Sequence, residues 1–201
     1  MQVLLLGGFL GSGKTTVLLQ LAQYLAKSKI PDDGKTTLAI IENEVGSVGI
    51  DYLVLKERGY QVRDLLAGCI CCTLVTDLIT CLQDLKKRLN PEWVIIEATG
   101  LAYPGNIAET IYEELSIHSR IVCLVDASRW QALFKAINPL ATGQIIKAAL
   151  ILLNKIDLID DQTRCDIYQS IKKLNANSQI IDVSAKDGLS EYIMKIILYA
   201  Q

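Results

Sequence analysis

Two short stretches of this chain place chemically capable side chains close together. The first is Gly8-Phe-Leu-Gly-Ser-Gly-Lys-Thr15, which matches the pattern G-x-x-x-x-G-K-[ST]. It follows the apolar run Val3–Leu6 and precedes a helix-period segment, the strand–loop–helix setting this pattern requires. The cradle runs through Gly11, Ser12, Gly13, Lys14, Thr15 and Thr16. Its glycines let backbone N–H groups wrap phosphates, and the following helix N-terminus adds partial positive charge. Lys14 reaches the β- and γ-phosphates, and Thr15 offers a hydroxyl to magnesium. The competing reading is a glycine-rich turn before a core helix. The second stretch is Gly68-Cys-Ile-Cys-Cys72, with three thiols in four residues. Cys69 with Cys71 or Cys72 can face one soft ion, zinc or another late divalent metal, with cobalt and nickel as further candidates. With all three thiols bound, a tetrahedral ion would need one more ligand: water, a carboxylate or a thiol from a second subunit. A helix N-terminus nearby lowers thiol pKa values and favours thiolate. Buried small hydrophobes and a dithiol redox pair remain as alternatives.

Further candidates stand at the ends of apolar runs. Val94-Ile-Ile-Glu97 ends in a carboxylate able to hold magnesium, directly or through water, and Gly100 can present its N–H to a γ-phosphate. Leu150–Leu153 runs into Asn154-Lys-Ile-Asp157, where Asp157 can accept both N1–H and N2–H of guanine while Asn154 and Lys155 brace the loop and cover the ring. Gln179–Val183 ends in Ser184-Ala185-Lys186, like the second guanine loop of GTPases. Two polar loops capping helices would be the plain reading of these segments. Glu42, Glu44 and Asp51 lie on a loop with Gly46 and Gly49; Glu42 is a candidate ligand for magnesium or a cargo ion, against a merely solvated loop.

These residues need elements to position them. Candidate strands are Val3–Leu6, Thr37–Glu42, Val62–Leu66, Trp93–Glu97, Ile121–Asp126, Ala149–Leu153 and Gln179–Val183. Most are continuous apolar runs, the pattern of strands buried on both faces of a parallel sheet. Helix-period stripes lie between them: Val17, Leu18, Leu21, Ala22 and Leu25; Leu74, Leu78, Leu82, Leu85 and Leu89; Ile167, Ile171 and Leu174. The alternation predicts a three-layer α/β fold, with a mostly parallel sheet of about seven strands flanked by helices. Pro104 suits a first helical position, and Lys27–Lys35 reads as a surface loop. Cys81, Cys123 and Cys165 read as core or partly buried, His118 as a surface residue, and Trp93 and Trp130 as packing residues, with a partner surface as a second role for Trp130.

The whole chain of 201 residues has room for one ordinary α/β domain, expected over 1–201. Its 51% hydrophobic content excludes a disordered chain, and its net charge of −2 lacks the footprint of a nucleic-acid binder. The longest uncharged run, Met1–Gly13, is too short to span a membrane and lacks a signal peptide's basic start. Six cysteines without an export signal imply a reducing cytoplasm and thiols used for metal or redox chemistry.

Together these residues resemble the CobW-like GTPases, relatives of the HypB and UreG metallochaperones. The resemblance rests on Gly7-Gly-Phe-Leu-Gly-Ser-Gly-Lys-Thr-Thr16, Ile41-Glu-Asn-Glu-Val-Gly46, Gly68-Cys-Ile-Cys-Cys72, Glu97-Ala-Thr-Gly-Leu-Ala102 with Pro104, Val125-Asp-Ala127 and Asn154-Lys-Ile-Asp157, in the family's order. It implies a P-loop NTPase fold and a magnesium-dependent GTPase that couples GTP and GDP states to delivery of a metal or metallocofactor. It implies that the cysteine triplet binds the metal, that a client metalloenzyme or cofactor protein receives it, and that GTP favours a homodimer. Neither nucleic acid nor membrane is an expected partner. CobW-like proteins usually carry a further C-terminal domain, which is not expected here. Ser47 stands where the family often has an acidic residue. Leu101 follows Gly100 where Ras-like enzymes have a water-orienting glutamine, so slow intrinsic hydrolysis is expected. Two other readings are a GTP- and metal-responsive regulatory module without metal transfer, and a small-molecule kinase, which Asn154–Asp157 disfavours.

Overall fold

The protein is described here as a computed structural model covering residues 1–28, 38–42 and 75–199, with backbone only for residues 27, 28, 42 and 75–77. Six strands form one sheet: β1 (Gln2–Gly7), β2 (Leu38–Glu42), β3 (Trp93–Glu97), β4 (Ser119–Asp126), β5 (Leu150–Asn154) and β6 (Gln179–Val183). The helices are α1 (Lys14–Ser28), α2 (Val75–Arg88), α3 (Pro104–Leu115), α4 (Trp130–Ala136), α5 (Asn138–Ile145), α6 (Asp161–Leu174) and α7 (Glu191–Tyr199). The sheet order is β2-β3-β1-β4-β5-β6. Every pairing in it is parallel.

Alternation along the strands divides the core into two layers. Val3 and Leu5 of β1 join the helices α2 to α6 on one face, through residues such as Leu82, Ile111, Ile145 and Ile171. Leu4 and Leu6 join α1 and α7 on the other, through Leu18, Leu21, Ile197 and Leu198. Residues of either parity are therefore apolar, which explains the continuous runs: β1, β3, β4 and β5 are covered on both sides. The three-layer P-loop NTPase fold is as expected. The candidate strand Val62–Leu66 lies outside the described residues, so six strands are described rather than about seven.

Several local readings hold and three change. Pro104 opens α3 at a position where its missing N–H costs nothing. Trp93 and Trp130 are buried, the latter donating its indole N–H to Ser170 Oγ at 3.2 Å. Burial leaves no partner surface on Trp130. His118 is exposed and packs against the Tyr112 ring. Cys81 and Cys123 are buried, but Cys165 is exposed. Cys165 lies two positions before Ile167, about 200° around the helix from the buried Ile167–Ile171 stripe, so it faces away from the core. Helix α1 runs through Ser28, so Lys27 and Ser28 belong to it rather than to a loop. Among the described residues, no helix is long and apolar enough to cross a membrane.

The carboxyl ends of the strands share one edge. Glu42 of β2 and Leu6 of β1 both pair in register with Glu97 of β3. Asp126 of β4 pairs with Asn154 of β5, and Asn154 with Val183 of β6. Strand β1 lies between β3 and β4 at the point where the chain's winding reverses, the place where α/β sheets bind ligands.

Candidate functional site

The loop after β1 leads directly into α1, and its turn is built on backbone that side chains disfavour. Gly13 has φ of +103°, and a Cβ there would lie 2.4 Å from Asn154 Nδ2. The position therefore needs glycine both for its dihedral and for the approach of the β5 loop. Lys14 is buried, its ammonium donating to the carbonyls of Gly8 at 3.0 Å and Phe9 at 3.3 Å. Thr15 Oγ1 donates to Glu97 Oε1 at 3.0 Å. The hydroxyl and carboxylate read from sequence as magnesium ligands are thus in contact, and both are hard oxygen donors of the kind magnesium takes.

Asn154 joins the other two loops to this one. Its Nδ2 donates to the Ser12 carbonyl at 2.8 Å, and its Oδ1 accepts from the Ala185 N–H at 2.9 Å. Asn154 is 3% exposed, so both groups would lack partners if the amide were removed. Lys155, held in left-handed backbone at φ of 64°, donates to the Gly11 carbonyl at 2.7 Å and to Asp126 Oδ2 at 2.6 Å. Gln20 of α1 donates to the Ala185 carbonyl at 2.7 Å and accepts from the Leu189 N–H at 2.6 Å. Phosphate loop, β5 loop and β6 loop are thereby fastened together by side-chain amides and one lysine.

Asp157 lies on the short turn Ile156–Leu158 and Lys186 on the short turn Ala185–Asp187. Asp157 accepts from Ser184 Oγ at 2.9 Å and pairs with the Lys186 ammonium. The Lys186 contact, and then the Ser184 hydroxyl, hold the Asp157 carboxyl below its usual range. The Asp157 carboxylate in turn raises the Lys186 ammonium. The carboxylate is therefore ionised, the state that accepts N–H donors.

A cavity of about 360 Å³ lies over this edge and brings together most of the residues marked out by sequence. Gly11, Gly13, Lys14, Thr15, Thr16, Glu97, Asn154, Lys155, Asp157, Ser184, Ala185 and Lys186 all line it. Ser12 and Gly100 do not. Ser12 is buried and its hydroxyl finds no partner among the described residues. Gly100 backs onto the phosphate loop, where a Cβ would meet the Leu10 nitrogen at 2.6 Å. Glu42 ends β2 beside Glu97 in register. Cys69, Cys71 and Cys72 lie outside the described residues, as do Glu44, Ser47 and Asp51. Among the described residues no group of three or more His, Cys, Asp or Glu side chains is placed to hold a metal ion.

Three contributors carry no site role in the reading of the sequence, although Asp126 lies in Val125-Asp-Ala127, one of the segments behind the family resemblance. Asp126 accepts from Ser128 N at 3.0 Å and Ser128 Oγ at 2.6 Å as well as from Lys155. Gln20 and Gln144 reach backbone groups of distant loops. An acidic residue ending a strand could have pointed to Asp126; the two glutamines serve backbone atoms, which leave no trace in residue types.

The chain is similar in sequence and in fold to known proteins. The chain is 31% identical over 195 residues to the zinc chaperone YjiA of Escherichia coli, matching 92% of this chain and 58% of that protein. It is 29% identical over 205 residues to zinc-regulated GTPase metalloprotein activator 1 of Schizosaccharomyces pombe, matching 95% of this chain and 48% of that one. The chain thus spans about half the length of these relatives. The crystal structure of Zn(II)-bound YjiA superposes with a TM-score of 0.62 at 27% identity, covering 91% of this chain and 57% of that chain. The hydrogenase maturation factor HypB of Archaeoglobus fulgidus superposes with a TM-score of 0.67 at 19% identity, over 98% of this chain and 88% of that chain, a likeness of fold. The family model for the CobW/HypB/UreG nucleotide-binding domain matches residues 2–182. That match takes in the phosphate loop and all but the last residue of the six-stranded sheet, and this chain belongs to the CobW/HypB/UreG nucleotide-binding domain family.

Proposed function

We propose that this chain is a GTP-hydrolysing metallochaperone or activator of a metallocofactor enzyme, in which nucleotide state controls binding and release of a metal at Cys69, Cys71 and Cys72. The observation that carries the nucleotide half is the double hydrogen bond of Asn154, which holds the phosphate loop and the Ala185 loop to the strand end beside Asp157. One cavity then offers a phosphate cradle at Gly11–Thr16 and an ionised carboxylate at Asp157. Adenine presents no pair of donors to such a carboxylate, whereas guanine presents N1–H and N2–H. Lys155 and Lys186 would flank the base, and Ser184 and Ala185 would close the loop around it.

Lys14 would transfer its ammonium from the Gly8 and Phe9 carbonyls to the β- and γ-phosphates. Thr15 and Glu97 would hold magnesium, with Glu42 a further candidate at the next strand end; when bound, the ion supplies charge that offsets the charge developing on the phosphates. Gly100 would offer its N–H to the γ-phosphate and so register its loss. With Leu101 after it rather than a water-orienting side chain, intrinsic hydrolysis would be slow and raised by metal, client or a GTP-dependent homodimer. The metal half is supported by relatives named as a zinc chaperone and a zinc-regulated metalloprotein activator. Zinc is accordingly the first cargo to test, with cobalt and nickel next. The client would be a metalloenzyme or cofactor protein of the cytoplasm.

Competition binding of GTP against ATP tests the nucleotide assignment. GTP should be preferred by at least about tenfold, and Asp157→Ala should erase most of that preference, since a hydrogen bond to a charged group contributes about 1.5–3 kcal/mol. A preference for ATP would overturn the assignment and favour phosphoryl transfer to a small molecule.

A further inference from the structure

Gln144 is buried at 2% exposure near the end of α5, outside the cavity lining, yet it spends its amide on the two loops that must sense phosphate. Its Oε1 accepts from the Gly8 N–H at 2.8 Å, at the start of the phosphate loop. Its Nε2 donates to the Gly100 carbonyl at 3.2 Å and to the Ala102 carbonyl at 2.6 Å, on the segment after β3. A primary amide has two donors and an acceptor oxygen, and here both donors and the oxygen are engaged. The bonded groups stand 136, 44 and 42 residues away in sequence.

The helix end that carries this side chain is itself fixed. Asn175, at the carboxyl end of α6, donates to the carbonyls of Ile145 at 2.8 Å and Ala148 at 2.9 Å. Gln144 therefore works from an anchored base. The Gly100 carbonyl and N–H share a loop of few residues, and Gly100 abuts Leu10 of the phosphate loop. A shift of segment 100–102 toward a bound phosphate must either break the Nε2 bonds or carry α5 with it.

We propose that Gln144 is a positioning residue that sets the orientation of segment 100–102 against the phosphate loop, and so the difference in response to GTP and GDP. This rests on the reading of Gly100 as the γ-phosphate sensor. Gln144 does not line the cavity; it would act through the Gly100 and Ala102 carbonyls. Glutamate at this position keeps an acceptor for Gly8 and replaces the two N–H donors with none when ionised or one O–H when neutral, so Gln144→Glu weakens the Gly100–Ala102 half of the tether selectively. Leucine loses both halves.

Hydrolysis and nucleotide binding are measured on wild type, Gln144→Glu and Gln144→Leu. For Gln144→Glu the expected result is a fall in kcat of at least about tenfold, with GDP affinity within about threefold of wild type and a reduced ratio of GTP-analogue to GDP affinity. Gln144→Leu should lose kcat and GDP affinity together. If Gln144→Glu hydrolyses GTP as wild type does, or loses GDP affinity and kcat in equal measure, the positioning role is overturned. A spectroscopic test needs no variant: the Gln144 side-chain amide resonances of wild type should shift between the GDP and the non-hydrolysable GTP complexes. Unmoved resonances would overturn the proposal too, while wild type still binding and hydrolysing GTP would leave the wider nucleotide reading standing. Wild type that binds no guanine nucleotide would overturn both.

Discussion

The Asp157–Lys186 pair makes a pH-dependent statement about a single side chain. Its carboxyl is depressed in the folded state, so the pair's contribution is complete above the ordinary aspartate value of about 3.9 and is lost only as pH falls through the lower folded value. Removing the ammonium in Lys186→Met should move the Asp157 titration upward toward that ordinary value, observed by carboxyl NMR; an unchanged midpoint would mean the ion pair does not govern it. The thiols differ in the opposite direction. Burial pushes the Cys123 thiol to about 12 and, with Asp84 nearby, also raises Cys81. Less thiolate and no access mean slow alkylation. In folded protein a maleimide should label Cys165 in minutes and leave Cys81 and Cys123 unlabelled until denaturation, as read by peptide mass mapping; labelling of Cys123 in the fold would contradict its burial. Cys165 also shows where residue type misleads. A cysteine near Ile167 and Ile171 reads as buried by composition, yet its angle around the helix sets its exposure.

Strands and loops were open to reading for different reasons. Continuous apolar runs located β1, β3, β4 and β5 to within about two residues because strands buried on both faces leave few polar positions to blur them. The phosphate loop and the Asn154–Asp157 and Ser184–Lys186 loops were equally plain, since each joins a strand end to fixed residue types. The fastening between them was not. Gln20 and Gln144 act on backbone atoms, and neither the period nor the motif of their segments marks them, while Val125-Asp-Ala127 marks Asp126 without showing that it accepts from Lys155. Short, nearly featureless α5 shows this most clearly. Asn154→Ala tests the fastening: with Ser12 O and Ala185 N left without partners, the fold should lose about 1–3 kcal/mol. Denaturant unfolding measures that loss, and affinity for GTP should drop alongside it. In the sheet itself, Leu152→Ala removes a side chain with no exposure and should cost about 2–5 kcal/mol while leaving the nucleotide loops in place. Gly13→Ala belongs with the loops instead, since its Cβ would displace Asn154, and nucleotide affinity should fall more than stability.

Across the whole molecule the proposed function requires a nucleotide cradle coupled to a thiol cluster. The sheet places Thr15, Glu97 and the end of β2 along one edge, and the chain leaving β2 continues toward the cysteine triplet in sequence. In the proposed function GTP would act on the thiols through this stretch of the chain. The coupling must appear as a difference in metal affinity between nucleotide states, because a ligand shifts an equilibrium only by binding its states unequally. Zinc titration of the protein bound to magnesium–GDP, and again bound to a non-hydrolysable GTP analogue, measures that difference directly. The account predicts dissociation constants differing by about tenfold or more, close to 1.4 kcal/mol of coupling, and collapse of the difference in Cys71→Ala. Equal zinc affinity in the two nucleotide states would contradict it.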